Sequence, residues 1–328
     1  MPGSFEPLSA VPVESATAYL AAQGVPPEIS NWKYFDPRPV TGERGYVWIE
    51  GSEVAGFLGL IPFTICRDGV PTPAAWTCDW SLGRPDLPGA MGILLLKHVL
   101  KQTSLPLYTL GGNENTHRIY ARIADHATLD AGILMYLPLR AGALTRLFRQ
   151  RMPPFLAPLN RIPLPYWSSP GPARSGVRIE GGIAGAIEPV LAAGGPGWRP
   201  RYDLQYLDWQ IGRCPALDCF TCHAPGAAAV LWHARGDQSH WRMAAWSAGA
   251  PDALDSVIAA TVRHVFESRG ELLSAVVSRL DAAMLSALRA ARFRMHPRRR
   301  ALFGVSGGAP CEELRPLSFL DTDLAYRF

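Results

Sequence analysis

No stretch of the 328-residue chain approaches the about 20 uncharged apolar residues that a membrane-spanning helix needs. The first residues, Met1-Pro2-Gly3-Ser4-Phe5-Glu6, carry no basic stretch followed by an apolar run, so no secretory leader is read there. The expectation is a cytoplasmic protein without a membrane partner. Cysteine is scarce, six in all (Cys66, Cys78, Cys214, Cys219, Cys222, Cys311), and sits mostly in apolar, strand-like surroundings. That excludes a disulfide framework and fits reduced, buried thiols. Charge is also modest, 18% of residues with a net +4, against 48% hydrophobic content, which excludes a disordered polyelectrolyte. The 30 prolines and 31 glycines follow no repeat period, so a collagen-like chain is excluded as well. The small basic excess lies in the second half, partly in Arg292 to Arg300, which reads as a solvated hairpin or strand edge.

What is present is a globular chain longer than one core usually supports, so two domains are expected. Glu14 to Gln23 reads as a helix stopped by Gly24 and Pro26-Pro27. Tyr46 to Ile49 and Val54 to Ile65 read as a hairpin around Gly51-Ser52-Glu53. Ala74 to Leu82 follows as a strand. Gly132 to Leu139 is expected to close the first half as its last strand. The boundaries drawn are 1–150 for the first domain, 151–175 for a proline-rich linker with seven prolines and no helical or strand period, and 176–328 for the second.

Thr77 to Tyr120 organises the first half. It holds a strand, a glycine-bearing turn (Pro88-Gly89-Ala90-Met91-Gly92), a helix from Ile93 to Leu100, a short strand Leu107 to Leu110 and a second helix Asn115 to Tyr120. A strand, a glycine turn and a helix together cradle an anion, because the first backbone N–H groups point outward at the positive end of the helix dipole. The ligand expected there is a diphosphate.

The second half repeats this order. Tyr34-Phe35-Asp36 recurs as Tyr206-Leu207-Asp208, Gly56 to Leu60 as Ala228 to Trp232, Thr77 to Ser81 as Met243 to Ser247, and Leu107 to Leu110 as Leu273 to Val276. In the copy, Asp252 stands at the helix start, where a carboxylate caps the helix and repels phosphate. The second copy is therefore expected not to bind the anion.

These residues resemble the GNAT superfamily of N-acyltransferases, which bind acyl-coenzyme A. The resemblance implies an α/β (α+β) fold of two tandem GNAT-like domains, each a mixed, mostly antiparallel sheet flanked by helices. Laid over the family's Gln/Arg-x-x-Gly-x-Gly/Ala loop, Leu82 to Gly92 puts Leu87, Ala90 and Gly92 at the signature positions, with Gly89 one place early. The implied cofactor-binding set is Leu82, Leu87, Gly89, Ala90, Met91 and Gly92, joined by Asn115 on the pantetheine arm. With leucine at the basic or amide position, only a backbone cradle is left. Asn115 to Tyr120 resembles the family's Asn-bearing helix, whose tyrosine protonates the departing thiolate. Tyr120 suits that role, since a phenol with a pKa near 10 can donate to a thiolate of comparable basicity.

Thioester aminolysis also needs a base. Asp79 is the first candidate, expected to share a strand face with Thr77 and Ser81 opposite Trp76, Cys78 and Trp80, and Glu114 is the second. His98 and His117 read as packing residues. Arg199 and Arg201 are candidates to pair with an acceptor carboxylate. Cys219-Phe220-Thr221-Cys222-His223 matches a haem-attachment pattern, and Cys214, Cys219, Cys222 and His223 a partial zinc set, but neither has its context. Gly304 to Gly308 matches a nucleophile elbow without the helix that must follow.

The function expected is acyl-CoA-dependent N-acyl transfer, with acetyl as the acyl group in the family's manner, to the amine of a small molecule or peptide, with no metal. Two alternatives stand beside it: an aminoacyl-tRNA-dependent transferase of similar duplicated fold, the one case that gives nucleic acid a part, and a non-catalytic acyl-CoA-binding protein.

Overall fold

The computed structural model of the chain describes residues 3–37, 41–67, 70–83, 89–110, 114–123, 126–144, 154–164, 176–193, 198–306 and Leu320. The chain divides into two compact units. The first takes in Met1–Asp130, Gly197–Arg201 and Leu302–Glu313, and the second Ala131–Pro196, Tyr202–Ala301 and Leu314–Phe328.

The first unit runs β1 (Ser4–Pro7), α1 (Val13–Ala22), α2 (Pro27–Ser30) continued by a π-helical turn over Asn31–Phe35, β2 (Gly45–Glu50), β3 (Glu53–Arg67), β4 (Val70–Leu82), α3 (Gly89–Gln102), β5 (Leu107–Leu110) and α4 (Glu114–Ile123). β1 to β4 form an antiparallel meander, and β4 pairs parallel with β5. The expected hairpin forms because Gly51, at φ 67°, supplies the left-handed residue that a two-residue turn requires.

Helices cover both faces of this sheet. On β3, Leu58 and Leu60 pack with Leu95, Leu96 and Val99 of α3. Phe57, between them in sequence, turns to the other side and lies 5.0 Å from the Tyr34 ring and 6.5 Å from Tyr19. The α3 residues Gly92, Leu95, Leu96 and Val99 recur at helical spacing and are all buried. Each of the three larger ones removes a side chain from water, worth roughly 1.5–3 kcal/mol.

Two segments distant in sequence complete the unit. Trp198–Pro200, a short strand β8, pairs antiparallel with Ile65 to Arg67, and Phe303 to Ser306 pair with β5. The backbone N–H of Arg201 donates to the Thr64 carbonyl at 2.7 Å.

The second unit contains β7 (Arg178–Gly181), α5 (Glu188–Ala193), α6 (Leu204–Leu207) continued by a π-helical turn over Asp208–Gly212, β9 (Leu217–Ala224), β10 (Ala227–Ala234), β11 (Asp237–Ser247), α7 (Pro251–Glu267), β12 (Leu272–Ser278), α8 (Ala282–Ala290) and the start of β13 (Arg294–Ser306). Asp203 and Asp281 cap α6 and α8, accepting from the Tyr206 and Met284 backbone at 2.8 and 3.0 Å. Trp241, Leu254, Val257, Ile258 and Leu273 lie in its core.

Two expectations are corrected, and the proline-rich stretch shows local structure. Gly132 to Pro138, in strand β6 (His126–Pro138), does not close the first unit. It pairs antiparallel with Leu272 to Ser278 of the second, a long-range pairing that local sequence does not encode. The proline-rich stretch contains a 3-10 helix over Pro154–Arg161, and Leu164 donates to the Leu139 carbonyl at 3.1 Å. Finally, α3 begins at Gly89 instead of Ile93, so the glycine-bearing turn is itself the first helical turn.

The order strand, helix, π turn, three-stranded meander, helix, parallel strand, helix is the same in both units. Its registration differs from the sequence match. The π turns align Asn31–Phe35 with Asp208–Gly212, so Trp32 corresponds to Trp209 and Lys33 to Gln210, and Tyr34 does not correspond to Tyr206. The parallel pairs Ala75 with Leu107 and Trp241 with Leu273 keep the expected match of Asp79 with Ala245.

Candidate active site

The strand alternation expected for Trp76 to Leu82 is interrupted. Opposite β3, Cys78 pairs with Gly59 and Ser81 with Phe57, so β4 carries one more residue than its partner over that span. This is a β-bulge, and it is centred on Asp79, whose φ of 49° lies in the left-handed region that non-glycine residues rarely enter.

The extra residue rearranges the faces. Thr77 and Trp80 turn toward α4, where the Trp80 ring meets Tyr120 edge-on at 5.9 Å. Cys78 and Asp79 turn toward the π turn. The expectation that Asp79 shares a face with Thr77 is thereby corrected; a bulge shifts every following side chain to the other side.

Among the described residues, Lys33 and Tyr34 hold Asp79. Lys33 Nζ lies 2.5 Å from its Oδ2, and the Tyr34 hydroxyl donates to the same oxygen. The Lys33 and Asp79 side chains are 1% and 6% exposed. The Tyr34 oxygen also lies 3.4 Å from Cys78 Sγ. Tyr34 lies against Gly59, where a Cβ would come within 2.3 Å of its hydroxyl. Lys33 was not among the residues expected in the site, and Gly59, a glycine inside a strand, was the available signal of a close approach.

On the other face, the Tyr120 hydroxyl donates to Thr77 Oγ1 at 3.1 Å, and Thr77 shares a 2.8 Å hydrogen bond with Thr109 of β5. Burial raises the Tyr120 pKa above the ordinary phenol value, opposed by the bonds to Thr77 and Thr109. The phenol therefore keeps its proton at neutral pH. The described ladder between β4 and β5 covers only Ala75 with Leu107 and Trp76 with Tyr108, so beyond it the two strands are bridged by these hydroxyls.

The first turn of α3 packs against the same part of β4. A Cβ on Gly92 would stand 3.5 Å from Trp80 Nε1 and 3.6 Å from Leu82 Cδ1. Gly89 and Ala90 are exposed, Met91 is half-buried, and no acidic residue occupies the turn. Asn115 is exposed on the first turn of α4. Leu87 and the Glu114 side chain lie outside the described residues.

The other motifs dissolve. Cys219 and Cys222, three apart on β9, point to opposite faces, and burial pushes both thiols up to about 11. His223 pairs with Glu180 at 3.0 Å. Among the described residues no group of three or more candidate ligands is placed to hold a metal. Gly304 to Ser306 lie in β13, and the rest of the elbow pattern lies outside the described residues. His98 stacks on Phe5 at 5.1 Å, and His117 is buried.

The second unit lacks these features. Ala245 replaces Asp79, the register of β10 with β11 runs unbroken from Ala227 to His233, α8 has no tyrosine, and Asp252 occupies the first turn of α7.

No protein-family profile and no curated protein matches the sequence. Solved structures do. A tandem GNAT protein from the clavulanic acid biosynthesis pathway, solved without AcCoA, superposes with a TM-score of 0.60 at 13% identity, covering 95% of this chain and 100% of its own. The chain has the tandem GNAT fold. The N-myristoyltransferase of Saccharomyces cerevisiae with bound myristoyl-CoA follows at a TM-score of 0.58 and 11% identity, covering 94% and 84%. A GCN5-related N-acetyltransferase from Anabaena variabilis gives 0.56 and 12%, covering 93% and 72%. Within this tandem GNAT fold, the bulge, the Lys33–Asp79 pair, the hydroxyl chain and the acid-free helix start all belong to the first unit.

Proposed function

We propose that this chain is an acyl-CoA-dependent N-acyltransferase whose first unit holds the thioester and whose acceptor is the primary amine of a small molecule or peptide. One observation carries the proposal: Trp80 meets both Tyr120, the end of the Tyr120–Thr77–Thr109 hydroxyl chain, and the carboxylate-free first turn of α3 at Gly92, in a fold shared with an N-myristoyltransferase solved with myristoyl-CoA.

The roles follow from the chemistry. Backbone N–H groups of Gly89, Ala90 and Met91 receive the diphosphate, with Leu82 and Gly92 packing beneath and Asn115 toward the pantetheine arm. The amine nitrogen attacks the thioester carbonyl, a C–N bond forms and the C–S bond breaks. The amine comes from the π-turn face and gives its proton to Asp79, while the thioester lies on the α4 face, where the departing thiolate takes a proton from Tyr120. Tyr120 is suited to donate because burial keeps it protonated, and the hydroxyls of Thr77 and Thr109 hold the phenol in place. With alanine opposite Asp79 and an acid at its helix start, the second unit serves as scaffold. The acyl group proposed is acetyl.

The test is amine-dependent thiol release. Acetyl-CoA and longer acyl-CoAs are offered with a panel of primary amines, and free thiol is followed. Release that rises with amine and saturates is expected; release no faster than without protein, across the whole panel, overturns the proposal.

A further inference from the structure

Lysine is among the residues least often found fully buried, and a buried ammonium persists only when paired. Lys33 is 1% exposed, on a π-helical turn, and its partner Asp79 sits at the one left-handed position of β4. Buried ion pairs add little net stability and are often replaced by neutral side chains without loss, so stability alone does not account for this one.

The second unit supplies an internal control. It builds the same π turn, and its third residue, Gln210, is also 1% exposed, yet Gln210 donates through Nε2 to a backbone carbonyl, that of Leu320, at 2.5 Å. The strand position matching Asp79 is Ala245, and the strand pair there has no bulge. Thr77 pairs with Leu60 and its counterpart Met243 with Leu231, so Gly59, which Tyr34 approaches closely, corresponds to Val230, which carries a β-branched side chain. Ammonium, carboxylate, bulge and close-approach glycine are thus present together in one unit and absent together in the other. The surrounding fold stands without them.

We propose that Lys33, with Tyr34, is a positioning residue: the two donors fix the Asp79 carboxylate and hold the β4 bulge in its left-handed turn, so that Asp79 meets the incoming amine in one orientation. This rests on the acyl-transfer reading above. Lys33 acts through Asp79, and its ammonium favours the charged carboxylate that takes the proton of the attacking amine.

The test uses the full chain and the substitutions that recreate the second unit. Lys33→Gln is expected to lower kcat about 10- to 100-fold with the KM for acyl-CoA unchanged, and to move the acid limb of the pH–rate profile upward, because the carboxylate loses its cation. Lys33→Arg keeps the charge and is expected to keep that limb in place. The Lys33→Gln, Asp79→Ala double variant is expected to lose no more activity than Asp79→Ala alone, because Lys33 acts only through Asp79, whereas two independent roles would multiply. Should Lys33→Gln fail to fold, Tyr34→Phe, which removes one hydroxyl from the same oxygen, is expected to change kcat and profile in the same direction. An active wild type with unchanged kcat and profile in Lys33→Gln and Tyr34→Phe overturns the role of Lys33 alone. A wild type without amine-dependent thiol release overturns the acyl-transfer reading and this role with it.

Discussion

The phenol of Tyr120 donates to Thr77 at 3.1 Å, and through Thr77 it is joined to Thr109 on the neighbouring strand. Removing the phenol oxygen separates a chemical role from a packing one. Tyr120→Phe leaves the ring against Trp80 and leaves Thr77 and Thr109 bonded to each other, so its stability cost is expected to be about 1 kcal/mol. Its kcat is expected to fall about 100-fold or more with little change in KM. Steady-state kinetics beside thermal unfolding read the two effects. Unchanged kcat would remove Tyr120 from the chemistry.

The first turn of α3 offers a test in which stability and binding move in opposite directions. A side chain at Gly89 meets nothing within 4 Å. Gly89→Asp copies the acidic first turn of α7, where Asp252 stands. The carboxylate favours the helix dipole by about 0.3–1 kcal/mol and repels an incoming diphosphate. A slightly higher melting temperature with at least a 10-fold weaker affinity for acyl-CoA is expected, and unchanged affinity would move the anion site elsewhere.

Much of this was legible in the sequence. The spacing of Gly92, Leu95, Leu96 and Val99 marks α3, the turn residues Gly51-Ser52 mark the hairpin, and the order of elements repeats plainly enough to reveal two copies. The bulge was not legible, because Trp76 to Leu82 alternates cleanly and nothing local requires Asp79 to take a positive φ. Lys33 was hidden for the same reason: an isolated lysine reads as exposed until the strand it faces is known. The exchanged strands were beyond reach, since Phe303 to Ser306 and Gly132 to Pro138 find their partners through long-range pairing.

That exchange predicts the behaviour of a truncated chain. A fragment ending at residue 150 keeps β1 to β5 but loses Trp198–Pro200 from the end of β3 and Phe303 to Ser306 from the edge of β5. These unpaired edges, and β6 left without Leu272 to Ser278, invite association. The fragment is expected to aggregate or to lack a cooperative unfolding transition, and a monomer that melts cooperatively would contradict the exchange.

In the second unit, His264 faces Phe220 at 5.0 Å and Trp241 at 5.6 Å. Burial lowers its pKa below the ordinary 6.5, Glu267 opposes this and His233 adds to it. The unfolded chain therefore binds the proton more readily than the folded one, and this contribution is intact above about pH 6.5 and lost as pH falls below it. Unfolding midpoints between pH 7.5 and 5 are expected to fall in wild type and to fall less in His264→Phe. Equal falls in the two proteins would show that His264 is not the linked group.

The central claim, one thioester site in the first unit, is tested most directly by calorimetric titration of the full chain with acetyl-CoA. The account predicts saturable binding with a Kd at or below about 1 mM, in the usual range of substrate affinities, and a stoichiometry near one per chain. No heat of binding at millimolar acetyl-CoA, or a stoichiometry of two, would contradict it.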